Sequence, residues 1–129
     1  MSNELVGKKI LLVDDDSDIL TAMQAALSDT GATIETANDG NTAVEKAAVG
    51  MPDLVVLDMM LPKRSGFLVM EKLKRGKKKE DPPRVIMITG NQGTRHRVYA
   101  ESLGVDTYLN KPFRMEKLIS SIKGLLGAG

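Results

Sequence analysis

Leu54-Val55-Val56-Leu57-Asp58 is a run of four apolar residues that ends on a carboxylate. A short apolar run without polar alternation reads as a strand covered on both faces, as in a parallel sheet. Two other segments repeat the design. Ile10-Leu11-Leu12-Val13 runs into Asp14-Asp15-Asp16, and Val85-Ile86-Met87-Ile88 runs into Thr89-Gly90. Longer amphipathic stretches separate them. From Ser17 to Ser28, residues Ile19, Leu20, Met23, Ala26 and Leu27 recur at helical spacing, with Asp16 or Ser17 placed as the cap and Gly31 as the stop. Thr33 to Ala37 alternates and predicts a more polar strand at a sheet edge. Asp39 to Val49 predicts a second helix, ended by Gly50 and Pro52. A third follows Ser65-Gly66 to about Arg75, and Pro82-Pro83 blocks any continuation. A more polar helix spans roughly Gly93 to Leu103, closed by Gly104. Thr107-Tyr108-Leu109 is the fifth strand, and Lys111-Pro112-Phe113 leads into a last helix with Met115, Leu118, Ile119, Ile122, Leu125 and Leu126 on one side. Five strand–helix units predict an α/β, doubly wound, three-layer (βα)5 fold with a five-stranded parallel sheet.

The 129 residues suit one domain, 1–129, with a core from 8 to 126. There are no cysteines, which excludes a disulfide scaffold, a thiolate metal site and a cysteine nucleophile. No apolar run is long enough for a membrane span, and the first residues lack the apolar core of a signal peptide. The expectation is therefore a soluble, cytoplasmic domain with no membrane partner. A net charge of +1 offers no global field for nucleic acid, so no direct nucleic-acid binding is expected. Lys72 to Arg84 nevertheless holds seven basic residues (Lys72, Lys74, Arg75, Lys77, Lys78, Lys79, Arg84) against Glu80 and Asp81. Basic residues suit the negative end of a helix dipole, so a solvated helix end and loop is the preferred reading over a patch for an acidic partner.

In open parallel sheets, ligands bind at the carboxyl ends of the strands. Asp14-Asp15-Asp16, Asp58, Thr89 and Lys111 all stand there, although they are far apart in sequence. Asp16 reads as a helix cap rather than a ligand. A lone strand-end aspartate often makes a turn, Thr89 alone would cap a helix, and Lys111 alone would be a surface charge. Their joint occurrence at four strand ends is what points to chemistry. Three gathered carboxylates repel, and two cations offset that: the Lys111 ammonium and a hard, oxygen-bound divalent ion such as Mg²⁺, for which Mn²⁺ could substitute. A carboxylate can take a phosphoryl group as an aspartyl phosphate, with the metal ion, Lys111, Thr89 and nearby N–H groups on the phosphoryl oxygens.

These residues resemble the receiver domains of bacterial two-component response regulators over essentially the whole chain, from Lys8 to about Leu126. The motifs are LLVDDD, VVLDMMLPKRSG, VIMITG and YLNKPF, with Pro62 and Gly66 at the family's spacing. The resemblance implies a flavodoxin-like sheet of order 2-1-3-4-5. It makes Asp58 the phosphoacceptor, with Asp14, Asp15, Asp58 and the Met60 carbonyl around Mg²⁺. Thr89 and Lys111 would contact the phosphoryl group, and Lys111-Pro112 would be cis. It implies a sensor histidine kinase or histidine phosphotransfer protein as donor and no catalytic turnover of its own beyond self-phosphorylation and dephosphorylation. It also implies a switch in which Thr89 moves toward the phosphoryl group and Tyr108 turns inward. That switch remodels the face formed by helix 4, strand 5 and helix 5, toward an unknown target protein or a second copy in a homodimer. Helix 4 is unusually polar for the family (Gln92, Arg95, His96, Arg97), and His96, the only histidine, reads as an exposed helix residue. Met60 and Asn91 occupy positions that govern water access to the acyl phosphate in the family, and a bulky Met60 would shield it. Two other classes are weighed. A haloacid dehalogenase-type phosphohydrolase wants an aspartate where Met60 stands. A flavin carrier wants stacking aromatics in a chain with two Phe, two Tyr and no Trp, and a degenerate receiver would have lost Asp58 or Lys111.

Overall fold

The computed structural model describes residues 4–90 and 94–127, without the side chains of 94–96. In chain order the elements are β1 (Lys9–Val13), α1 (Ser17–Leu27), β2 (Thr33–Ala37), α2 (Gly40–Gly50), β3 (Leu54–Asp58), α3 (Gly66–Lys74), β4 (Arg84–Thr89), α4 (Thr94–Ser102), β5 (Thr107–Asn110) and α5 (Met115–Leu125). The five strands form one sheet of order β2-β1-β3-β4-β5, and every neighbouring pair is parallel. The polar strand β2 lies at an edge, as its alternation predicts.

Successive residues of a strand face opposite sides of a sheet, so an apolar run feeds two cores. Ile10, Leu12, Leu54, Val56, Ile86 and Ile88 pack with Met23 and Leu27 of α1 and Leu118 and Ile122 of α5. Leu11, Val13, Val55, Leu57, Val85 and Met87 pack with Ala43 of α2, Val69, Met70 and Leu73 of α3, and Ala100 of α4. The central strand β3 is buried along its whole length, so Asp58 is carried to the sheet end on an element with almost no freedom to shift.

The starts of α1, α2 and α3 follow the capping rules, whereas Arg114 before α5 makes no side-chain cap bond. Asp16 accepts from the N–H groups of Asp18 and Ile19, Asp39 from Thr42, and Ser65 from Leu68. The stops fall within a residue of the sequence reading, with Ser28 and Arg75 as the C-caps of α1 and α3. The first helix ends at Leu27, before Gly31, where Ser28 donates from its N–H to the Ala25 carbonyl and Thr30 from its hydroxyl to the Leu27 carbonyl. The third ends at Lys74, followed by Gly76 at φ +74°, well before Pro82-Pro83.

The basic segment also departs from its expectation. Lys74 is only 8 % exposed, and its ammonium donates to the carbonyls of Lys79, Asp81 and Pro83 at 2.9, 2.6 and 3.1 Å. A buried lysine is tolerated because three carbonyl oxygens replace its water. Arg84 likewise pairs with Asp106 at 3.1 Å. These two basic residues are structural, while Lys72, Arg75, Lys77, Lys78 and Lys79 are exposed.

The loop after β3 is held by two close backbone approaches. The Gly40 N–H donates to the Pro62 carbonyl at 3.2 Å and the Gly66 N–H to the Met59 carbonyl at 2.9 Å. A Cβ on Gly66 would stand 2.5 Å from the Asp58 carbonyl oxygen and 2.7 Å from Met59 Cα, and backbone cannot yield there as a side chain can. Gly66→Ala is therefore expected to destabilise the domain by about 1–3 kcal/mol, read as a lower urea midpoint. An unchanged midpoint would show that the loop can move away freely.

Candidate functional site

Asp14, Asp58, Thr89 and Lys111 converge at the carboxyl end of the sheet because β1, β3, β4 and β5 are consecutive neighbours in it. Asp14 follows β1 and its N–H donates to the Ala37 carbonyl at 3.2 Å. Its Oδ1 accepts the Asp16 N–H at 2.9 Å. Its Oδ2 is buried and accepts no directed hydrogen bond; the Lys111 ammonium stands 3.1 Å away as an ion pair. Asp58 is 3 % exposed, accepts the Met60 N–H at 3.1 Å on Oδ1 and the Lys111 ammonium at 3.3 Å on Oδ2. Lys111 is held in place by its own backbone, whose N–H donates to the Thr89 carbonyl at 2.7 Å. The Lys111-Pro112 bond is cis, as the resemblance implies, and so is Pro82-Pro83, which nothing in the sequence announces.

The electrostatics follow from burial and crowding. Burial pushes the Asp58 carboxyl above the usual aspartate range, and the nearby Asp14 charge adds to the rise. The Met60 N–H and the Lys111 ammonium oppose it. Burial works against the Lys111 ammonium, but its contacts with Asp14 and Asp58 outweigh that and raise its pKa. One lysine thus bridges two buried carboxylates.

The donor set suits a hard divalent ion. Asp14, Asp15 and Asp58 each offer a carboxylate oxygen, and the three lie within 4.8 Å of one another. Asp15 is exposed, which leaves the cluster open to solvent on one side. The buried Asp14 Oδ2, with an ion pair but no directed hydrogen bond, has coordination capacity left. Asp16 is the cap of α1, as its position implied.

Thr89 is fully buried at the end of β4. Across the β4–β5 pairing, the Tyr108 ring packs against the cluster that contains Val85 and Met87, and its hydroxyl is buried on the Thr89 side. Burial raises the Tyr108 phenol's pKa, and the Thr89 hydroxyl and the Arg97 charge work against the rise. The residue as a whole is half-buried against that cluster. The Met60 side chain is 68 % exposed. Asn91 and Gln92 lie outside the described residues, as do the side chains of Arg95 and His96.

A family model described as "Response regulator receiver domain" matches residues 10–123. The chain is a response regulator receiver domain. The receiver is 39% identical over 121 residues to the alkaline phosphatase synthesis transcriptional regulatory protein PhoP of Bacillus subtilis, covering 94% of this chain and 49% of that protein. It thus spans about half the length of the curated relatives it matches. Among solved structures it resembles a CheY-like receiver domain protein from Methanospirillum hungatei, at 29% identity and a TM-score of 0.81, covering 93% of this chain and 94% of that one. It also resembles the BeF3-activated N-terminal receiver domain of Klebsiella pneumoniae RstA, at 26% identity and a TM-score of 0.81, covering 92% and 97%.

Among the described residues, Asp14, Asp15, Asp58 and Lys111, all named from the sequence, are brought together at the strand ends. The sequence reading missed a contact beside them: Phe67, next to Gly66, meets Tyr99 of α4 edge-on with ring centroids 4.9 Å apart. The two rings are distant in the chain, and no spacing rule links them.

Proposed function

We propose that this receiver domain accepts a phosphoryl group on Asp58 from a histidine kinase or histidine phosphotransfer protein and signals through the α4–β5–α5 face. The observation that carries the reading is the single ammonium of Lys111 set between Asp14 and Asp58, at 3.1 and 3.3 Å. An Asp58 oxygen forms the new bond to phosphorus while the bond to the donor's nitrogen breaks, and the donor histidine leaves with its electron pair. Asp14, Asp15, Asp58 and the Met60 carbonyl would hold Mg²⁺, which supplies positive charge to the phosphoryl oxygens. Lys111 loses one of its two carboxylate partners as Asp58 becomes an ester-like anhydride, and is then free to face the phosphoryl group. Thr89 offers its hydroxyl, and Tyr108 fills the space behind it, so a charge added at Asp58 reaches β5 and α4.

Intact-protein mass spectrometry after incubation with acetyl phosphate and Mg²⁺ tests this. The mass of one phosphoryl group should appear, and EDTA should prevent it. An unmodified protein under both conditions would overturn the proposal. The receiver would act stoichiometrically, without turning over phosphomonoesters: a phosphohydrolase of related design needs a proton donor two residues after the nucleophile, and Met60 has none to give.

Met60 bears on the lifetime of the product. Its exposed, apolar side chain stands directly after the site, where it can keep water from the acyl phosphate. Met60→Asn is expected to shorten the phosphorylated lifetime about tenfold, followed as released phosphate. Equal lifetimes would remove that role.

A further inference from the structure

The opposite end of the sheet carries a groove of about 550 Å³ between α2 and α3, with Val44, Ala47, Met51, Leu73, Pro82 and Pro83 in its lining. Met51 caps α2 in the left-handed conformation, at φ 48°, and its side chain is 75 % exposed. Lys72 and Lys77 stand at the same groove. Lys72 also borders a second hollow of about 350 Å³ along the outer side of α3, with Lys63, Arg64 and Arg75. Some surface cations do meet carboxylates: Lys123 pairs with Glu4 at 2.8 Å, and Lys63, in the outer hollow, with Asp39 at 3.8 Å. Among the described residues, no carboxylate pairs with the side chains of Lys72, Arg75, Lys78 or Lys79. The dipole of α3 accounts for cations in its last turn, but Arg75 to Lys79 lie beyond it. Two carboxylates also line these hollows, Asp53 in the groove and Glu71 on the outer side of α3, but the cations Lys63, Arg64, Lys72, Arg75 and Lys77 outnumber them.

An apolar trough between two helices, edged by unpaired cations, matches one kind of occupant. We propose that the α2–α3 face is a docking surface for an acidic amphipathic helix of a partner protein. The helix lays an apolar stripe along Val44, Ala47 and Leu73, and its glutamates or aspartates meet Lys72, Arg75 and Lys77. Nucleic acid fits less well, because no aromatic side chain lines the groove for a base to stack on. The surface lies at the far end of the sheet from Asp58, so a partner there leaves the phosphoacceptor accessible.

The test is an NMR titration of the ¹⁵N-labelled full chain with a synthetic helical peptide that carries leucines on one stripe and glutamates on both flanks. Shifts should map to α2, α3 and residues 72–83, and affinity should fall as salt rises. Lys72→Glu/Arg75→Glu should weaken binding about tenfold, and so should Ala48→Asp, at an exposed alanine that also lines the groove. Both variants should keep the wild-type melting temperature and acetyl-phosphate labelling of Asp58, which separates a failure here from a failure of the phosphorylation reading. Three results would overturn the proposal. The first is shifts confined to the α4–β5–α5 face or no shifts at all. The second is equal binding of a peptide with lysines in place of the glutamates. The third is a DNA oligonucleotide or phosphatidylserine vesicles shifting these residues while the acidic peptide fails to compete.

Discussion

Asp58→Asn is expected to take up no phosphoryl group and yet to melt at a higher temperature than the wild type. The first half follows from chemistry, since an amide oxygen cannot form the mixed anhydride. The second follows from the ground-state electrostatics. A carboxylate whose pKa is raised by folding stabilises the fold only while it is protonated. That contribution is complete below the ordinary aspartate value and is lost as pH rises through the elevated one. At neutral pH the ionised Asp58 is therefore a burden, shared with Asp14 and only partly relieved by Lys111. An amide of the same shape keeps the Met60 N–H bond and removes the repulsion. The expected gain is about 1 kcal/mol in chelator, a few degrees of melting temperature. Differential scanning calorimetry in EDTA and phosphorylation in Mg²⁺ read the two halves. Loss of stability would mean that the Lys111–Asp58 ion pair outweighs the repulsion, and persistent labelling would place the acceptor elsewhere.

Lys74→Met should be the most damaging single change outside the cluster. Methionine can fill the space of the lysine stem, but it cannot donate. The carbonyls of Lys79, Asp81 and Pro83 would all lose the ammonium that now joins them. Leaving buried acceptors without donors gives an expected loss of about 2–4 kcal/mol, seen as a lower urea midpoint. Amide exchange across residues 77–83 should also speed up. Burial already lowers the Lys74 pKa, with the Asp106 charge acting against that, so the site holds the ammonium through its hydrogen bonds rather than through excess negative charge. A Lys72→Met control, at an exposed neighbour on the same helix, should change little. Equal effects at the two positions would refute the clamp.

The two residues also show what is readable in a sequence. Asp58 is conspicuous because it ends a strand that is otherwise wholly apolar, and the same contrast marks Asp14 and Thr89. Buried strands thus advertise both the sheet and the groups at its ends. Lys111 is legible from its place immediately beyond the fifth strand, beside a proline that starts the turn into the last helix. Lys74, by contrast, sits among other basic residues and looks solvated. Its burial depends on the segment from Lys77 to Pro83 folding back over it, a tertiary event with no local signature. The Phe67–Tyr99 contact is hidden for the same reason, since it joins two helices that are only adjacent once β4 has crossed beside β3.

The strand order carries a consequence for the chain while it is being made. A ribosome releases Asp14, Asp15 and Asp58 first, and β1 can pair with β3 as soon as both have left the exit tunnel. The ammonium that reconciles those carboxylates arrives only with the residue after β5. Until then no other cation among the described residues pairs with Asp14 or Asp58, and ions from the surrounding solution are the charge available to close the pocket.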